Sequence, residues 1–191
     1  MYDLLIKNGR IADGSGMPSY IADVGVIDGQ IIDIGHLDAT AHQAIDATGL
    51  VVAPGFIDNH CHFDAQVTWD PLCTYSPQHG VTTVIFGNCS LTLAPTKIED
   101  REDLAMMLSR VEAIPMESLQ EGIPWEWTSF GEYLDFIDQG LGINAGSLVG
   151  HSAIRRWVMG EDAYIREVAT ESELNEMKAL IKDSIKAGAL G

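Results

Sequence analysis

The nine residues FIDNHCHFD, positions 56–64, place two histidines one residue apart behind an apolar run. Imidazole is a strong ligand for divalent cations, and in an extended chain alternate side chains share a face. Asp58, His60, His62 and Asp64 are then expected on one side, and Ile57, Asn59, Cys61 and Phe63 on the other. Two imidazoles so spaced can converge on one ion, with carboxylates as further ligands or as partners of the ligands. An ordinary solvated turn can carry the same His-x-His pair. The run ahead of it separates the two readings: LVVAPGFID reads as a buried strand, and βα-barrel enzymes keep their active sites at the C-terminal ends of such strands.

The second piece of chemistry is GVTTVIFGNCS, residues 80–90. Cys89 falls just past another short β-branched run, at the same sheet end as the histidines. A thiolate is a strong zinc ligand. Taken alone, Cys89 reads as a small buried hydrophobe; beside His60 and His62 at an equivalent strand end, the ligand reading is favoured. His151, in SLVGHSAIRRWVMG, follows a third candidate strand. Two roles stay open for it, a contact to substrate or to a metal ligand, and a helix cap. Cys61 and Cys73 read as packing residues. His79 precedes the second run, at the opposite end of the sheet, and reads as structural; His36 and His42 read as solvated.

The elements that must position these groups change character near residue 50. Before it the chain reads as short strands. DLLIKNGRIAD suggests one hairpin, and DVGVIDGQIIDIG a better one, with Asp28-Gly29 as a type I′ turn signal. Such strands need partners to close a sandwich. After it, apolar runs alternate with helical stretches. Leu104, Met107, Leu108 and Val111 share helical spacing; Ser129…Glu132 and Thr170…Glu173 form capping boxes; Leu174, Met177, Ile181 and Ile185 are expected to be buried in a helix that stops at Gly188. Strands separated by helices imply right-handed βαβ units, hence a barrel or a doubly wound sheet. The stretch from Leu91 to Thr128, with EGIPWEWTSF, reads as a packed excursion over the sheet's rim.

With 46% hydrophobic and 20% charged residues, the 191-residue chain is of globular composition. Its net charge of −17, from 28 acidic and 11 basic residues, argues against nucleic acid and anionic membranes as partners. Three scattered cysteines do not make a disulfide framework. No run approaches a membrane span and the first residues lack a signal-peptide core, so the default expectation is a cytoplasmic protein.

At these residues the sequence resembles the amidohydrolase superfamily, and within it the N-acyl-D-amino-acid deacylases (D-aminoacylases). The likeness runs through DLLIKNGRIADGSG, GLVVAPGFIDNHCHFD, HGVTTVIFGNCS, VGHSAIRRWVMG and AGALG, essentially the whole chain. It implies an α/β fold, the N-terminal part of a (β/α)8 TIM-type barrel preceded by part of a small β-sandwich, with residues 1–50 in the sandwich and 51–191 in the barrel. It implies one or two divalent metals, zinc above all, that polarise an amide carbonyl and activate water, and a small-molecule N-acyl amino acid as substrate. By position His60 and His62 match the His-x-His ligands, Cys89 the cysteine ligand and His151 a family GHS histidine of open role; His151 and Asp64 are read from the residues themselves as contacts to substrate or supports of the ligands, with a purely structural carboxylate the alternative for Asp64. Cys61 stands where a threonine is usual, and Ser90 where a glycine is usual.

A full barrel takes about 250 residues, and three strands are recognisable before Gly191. The resemblance implies two further ligand histidines and a proton-transfer aspartate on later strands, expected beyond Gly191. The isolated chain is expected to be inactive and inclined to self-association through an open sheet edge. Two rivals stand beside this reading. One is a cyclic-amide hydrolase of the dihydroorotase or hydantoinase type, against which Cys89 argues. The other is an inactive metal-binding fragment.

Overall fold

Residues 1–191 are described by a computed structural model that divides into two units, Met1–Gly55 and Phe56–Gly191. In the first unit, β1 (Tyr2–Ile11), β2 (Tyr20–Ile27), β3 (Gln30–Gly35) and β4 (Ala41–Asp46) form one sheet in the order β3-β2-β1-β4, and β5 (Val51–Val52) pairs with the end of β1. The Asp28-Gly29 turn between β2 and β3 has φ of +51° and +73°, the two left-handed residues a type I′ hairpin requires. Ile11, Ala22 and Val24 form the small core of this unit.

Two sequence expectations are corrected in this unit. DLLIKNGRIAD is not a hairpin but the single strand β1, with a register shift between Ile6 and Gly9 and Asn8 at φ +61°. The Asn-Gly pair that signals a turn is spent on a bulge. Buried Asp23 satisfies it, accepting the Asn8 N–H at 2.8 Å and the Leu37 N–H at 3.0 Å. The run LVVAPGFID is likewise not one strand. It breaks at Pro54-Gly55, because proline offers no N–H to extend a ladder, and leaves β5 in the first sheet and β6 (Phe56–Asp58) in the second.

The second unit is built on a parallel sheet of β6, β7 (Val81–Phe86) and β8 (Asn144–Ser147), in that order. Helices α1 (Arg101–Glu112), α2 (Met116–Gly122) and α3 (Phe130–Ile137) lie between β7 and β8, and α4 (His151–Met159), α5 (Asp162–Ile165) and α6 (Glu171–Ala187) follow β8. Leu104, Ala105 and Leu108 bury one face of α1, whereas Val111 is exposed. The two ends of the chain's long excursion are tied together by Trp127, whose Nε1–H donates to the Leu93 carbonyl at 2.9 Å and whose ring lies 5.1 Å from that of Tyr133. Arg156 of α4 grips the start of α1, reaching Asp100 at 2.6 Å and Asp103 at 2.7 Å.

Both capping boxes form, at Ser129/Glu132 before α3 and Thr170/Glu173 before α6. The face that α6 buries differs from the expected one. Met177 and Ser184 are buried and Leu180 half-buried, while Leu174, Ile181 and Ile185 are exposed. At 100° per residue the packed line through Met177 and Ser184 lies about 60–80° around the helix from the Leu174–Ile181–Ile185 stripe. The side that meets α4 thus wins over the most apolar side. No helix is long and apolar enough to cross a membrane.

Candidate metal centre

The parallel register brings the ends of β6 and β7 side by side, with Asp58 opposite Val84. Strand geometry stops at Asp58, so His60 and His62 stand on a loop and not on the extended segment that alternation had suggested. The loop is held by the end of β7. The Ile85 carbonyl accepts the Cys61 N–H at 3.3 Å and the Cys61 thiol at 3.2 Å, and it also accepts the Asn88 side-chain amide at 2.9 Å. Cys61 is thereby pinned to β7. Its neighbours His60 and His62 flank the anchor with ring centroids 5.5 Å apart in an edge-on arrangement.

After Phe86 the chain must reverse sharply to bring Cys89 back over the sheet end. Gly87 makes this possible: φ is +83°, and a Cβ there would collide with the Leu148 carbonyl. The turn Asn88–Ser90 follows, with Cys89 at φ +53° and Ser90 at +66°. Cys89 Sγ arrives 3.4 Å from His60 Nε2. One ligand atom each from His60, His62 and Cys89 fits within 4.8 Å of the others. Two imidazoles and one thiol form a donor set of zinc type. The cluster comes from two adjacent strand ends, and the residues fit the metal that the sequence suggested.

The other candidate residues lie differently. Asp64 is fully buried; its Oδ2 accepts the Gly87 N–H at 3.2 Å and its carbonyl accepts the Tyr133 hydroxyl at 2.9 Å. Burial pushes its carboxyl up to about 8, against the lowering effect of the Gly87 N–H. Asp64 therefore braces the turn that delivers Cys89. Asp58 Oδ1 accepts the His60 N–H at 3.2 Å, a local turn contact. His151 is exposed at the first position of α4, outside the three-residue cluster. The preceding Gly150 donates its N–H to Thr92 Oγ1 at 3.1 Å, which ties this end of β8 to the chain following Cys89. Cys61 is half-buried, and burial, with the nearby Asp58 and Asp64 carboxylates, pushes its thiol up to about 12. Its thiol is committed to the Ile85 carbonyl and lies outside the three-residue cluster.

Two groups near the centre escaped the sequence reading. Tyr133 reaches Asp64 from α3, 69 residues away in the chain, and no local pattern signals so distant a bond. Glu112 approaches His62 Nδ1 to 3.8 Å; its sequence signal is an acidic residue in the last turn of a helix.

The sequence pattern of the amidohydrolase family matches residues 43–191. The chain belongs to the amidohydrolase family. It is 40% identical over 198 residues to an uncharacterised protein of Mycobacterium tuberculosis, covering all of this chain and 32% of that one. It is 37% identical over 192 residues to the D-aminoacylase of Alcaligenes xylosoxydans xylosoxydans, again covering all of this chain and 37% of the relative. The structure of the N-acyl-D-glutamate deacylase from Bordetella bronchiseptica, complexed with zinc and a phosphonate inhibitor, superposes with a TM-score of 0.83 at 34% identity, over 100% of this chain and 37% of that chain. The chain thus spans about a third of the length of the curated relatives it matches. These likenesses show the fold to be the N-terminal part of a (β/α)8 barrel preceded by part of a β-sandwich.

Proposed function

We propose that His60, His62 and Cys89 hold zinc in a hydrolase that cleaves the amide of N-acyl-D-amino acids. The convergence of their three ligand atoms within 4.8 Å at adjoining strand ends carries the reading. The whole-chain likeness to D-aminoacylase and to N-acyl-D-glutamate deacylase supports the substrate class.

Each residue has a distinct task. His60 and His62 bind through neutral imidazole nitrogen, and Cys89 contributes the thiolate charge. Zinc bound there supplies a Lewis acid that polarises an amide carbonyl and lowers the pKa of water. Asp64 keeps the Gly87 turn closed so that Cys89 stays in reach. His151, at the mouth of β8, is assigned to substrate contact. Asp58 and Asp64 are assigned to holding the loops, through the His60 N–H and the Gly87 N–H.

Zinc content and hydrolysis of a mixture of N-acetyl-D-amino acids, measured on one sample, test this. Stoichiometric zinc that falls on replacing His60, His62 or Cys89 by alanine is the expected result. Unchanged zinc in all three variants overturns the metal assignment. Turnover of hydantoins or dihydroorotate, with none of N-acyl-D-amino acids, moves the chain to the cyclic-amide branch.

A further inference from the structure

Glu112 is the last residue of α1. A helix C-terminus carries the negative end of the macrodipole, so a carboxylate there is locally disfavoured and a cation favoured. Arg110, in the same turn, obeys that rule; Glu112 does not. A residue that breaks a local rule needs a compensating partner elsewhere. The partner is the imidazole of His62, with Glu112 Oε1 at 3.8 Å from Nδ1 and the two side chains 25% and 19% exposed. His62 Nδ1 is itself enclosed and makes no hydrogen bond. Asp64, two residues on, is turned away to the Gly87 N–H. Glu112 is the carboxylate that faces the enclosed nitrogen, at 3.8 Å.

We propose that Glu112 is a positioning residue: it accepts the His62 Nδ1–H and holds the ring with Nε2 toward the metal. The proposal rests on the reading of His60, His62 and Cys89 as a metal centre. A carboxylate behind a ligand imidazole fixes the tautomer and raises the basicity of the coordinating nitrogen. Glu112 is well placed to do this because α1 is anchored at its other end, where Asp100 and Asp103 bind Arg156. The residue thereby couples the excursion between β7 and β8 to the metal centre.

Two readouts test the proposal on the 191-residue chain. The first is metal-free: two-bond proton–nitrogen spectra of labelled histidine at about pH 8.5, where an ordinary imidazole is neutral. His62 is identified by its loss in His62→Asn. The expected result is the Nδ1–H tautomer in the wild type, kept in part by Glu112→Gln and replaced by a mixture in Glu112→Ala. An Nε2–H tautomer in the wild type, or an unaltered His62 signal in Glu112→Ala, overturns the proposal.

The second readout is Co2+ affinity, followed by the thiolate-to-cobalt absorption that requires Cys89. Glu112→Ala is expected to weaken binding about 10–100-fold, Glu112→Gln less, and Glu102→Gln, at the far end of α1, not at all. Equal affinity in Glu112→Ala and the wild type removes the role of Glu112 and leaves the metal centre standing. A wild-type chain with no Cys89-dependent absorption removes the metal centre and the positioning role with it.

Discussion

Three thiols meet three environments in this chain. Burial raises Cys73 to about 11 and Cys61 to about 12, so both remain neutral packing groups. Cys89 alone is exposed, and it faces His60. Its delivery has a conformational cost, since Cys89 and Ser90 both adopt left-handed backbone angles that disfavour a Cβ. At Ser90, unlike Cys89, no ligand atom is at stake. Ser90→Gly is accordingly expected to raise unfolding stability by about 1 kcal/mol, read from the urea midpoint of the metal-free chain. An unchanged or lower midpoint would show that the Ser90 side chain contributes more than its backbone angle costs.

Among elements, β1 shows how a polar side chain can decide between a turn and a bulge. The Asn8-Gly9 pair permits either, and the buried Asp23 carboxylate settles it by accepting from Asn8 and Leu37. Those two N–H groups hold its carboxyl below the usual carboxylate range. A depressed pKa contributes stability that is present above the unfolded value of about 3.9 and is lost as pH falls through the lower folded value. Asp23→Ala, which orphans both donors, is expected to cost about 1–3 kcal/mol at neutral pH. In urea unfolding across the acid range, the gap between wild type and variant should narrow below about pH 4. A gap independent of pH would assign the loss to packing.

At the scale of the whole molecule, the three-stranded sheet leaves β6 and β8 as edges. Phe56 and Ile57 on β6 are 67% and 65% exposed. An apolar edge strand is a template for pairing with another chain. The isolated chain is expected to associate with rising concentration in sedimentation velocity, and Ile57→Lys to shift it toward monomer without loss of helical signal. A single species at all concentrations in the wild type would show that the β6 edge is protected.

The convergence of His60, His62 and Cys89 at one end of the parallel sheet was legible in the sequence, because metal chemistry demands particular side chains and βαβ order follows from local periodicity. The type I′ turn at Asp28-Gly29 and both capping boxes were legible for the same reason, each resting on contacts within a few residues. The bulge at Asn8, the break at Pro54, the buried face of α6 and the roles of Asp64, Tyr133 and Glu112 were not. The break at Pro54 follows from proline's missing N–H, and each of the others depends on a partner distant in the chain: Asp23 for Asn8, α4 for α6, Gly87 and Tyr133 for Asp64, His62 for Glu112. Burial and hydrogen-bond satisfaction are properties of the assembled fold, so only the tertiary structure could decide which acidic residues lie against the His60, His62 and Cys89 cluster and the turn that carries Cys89.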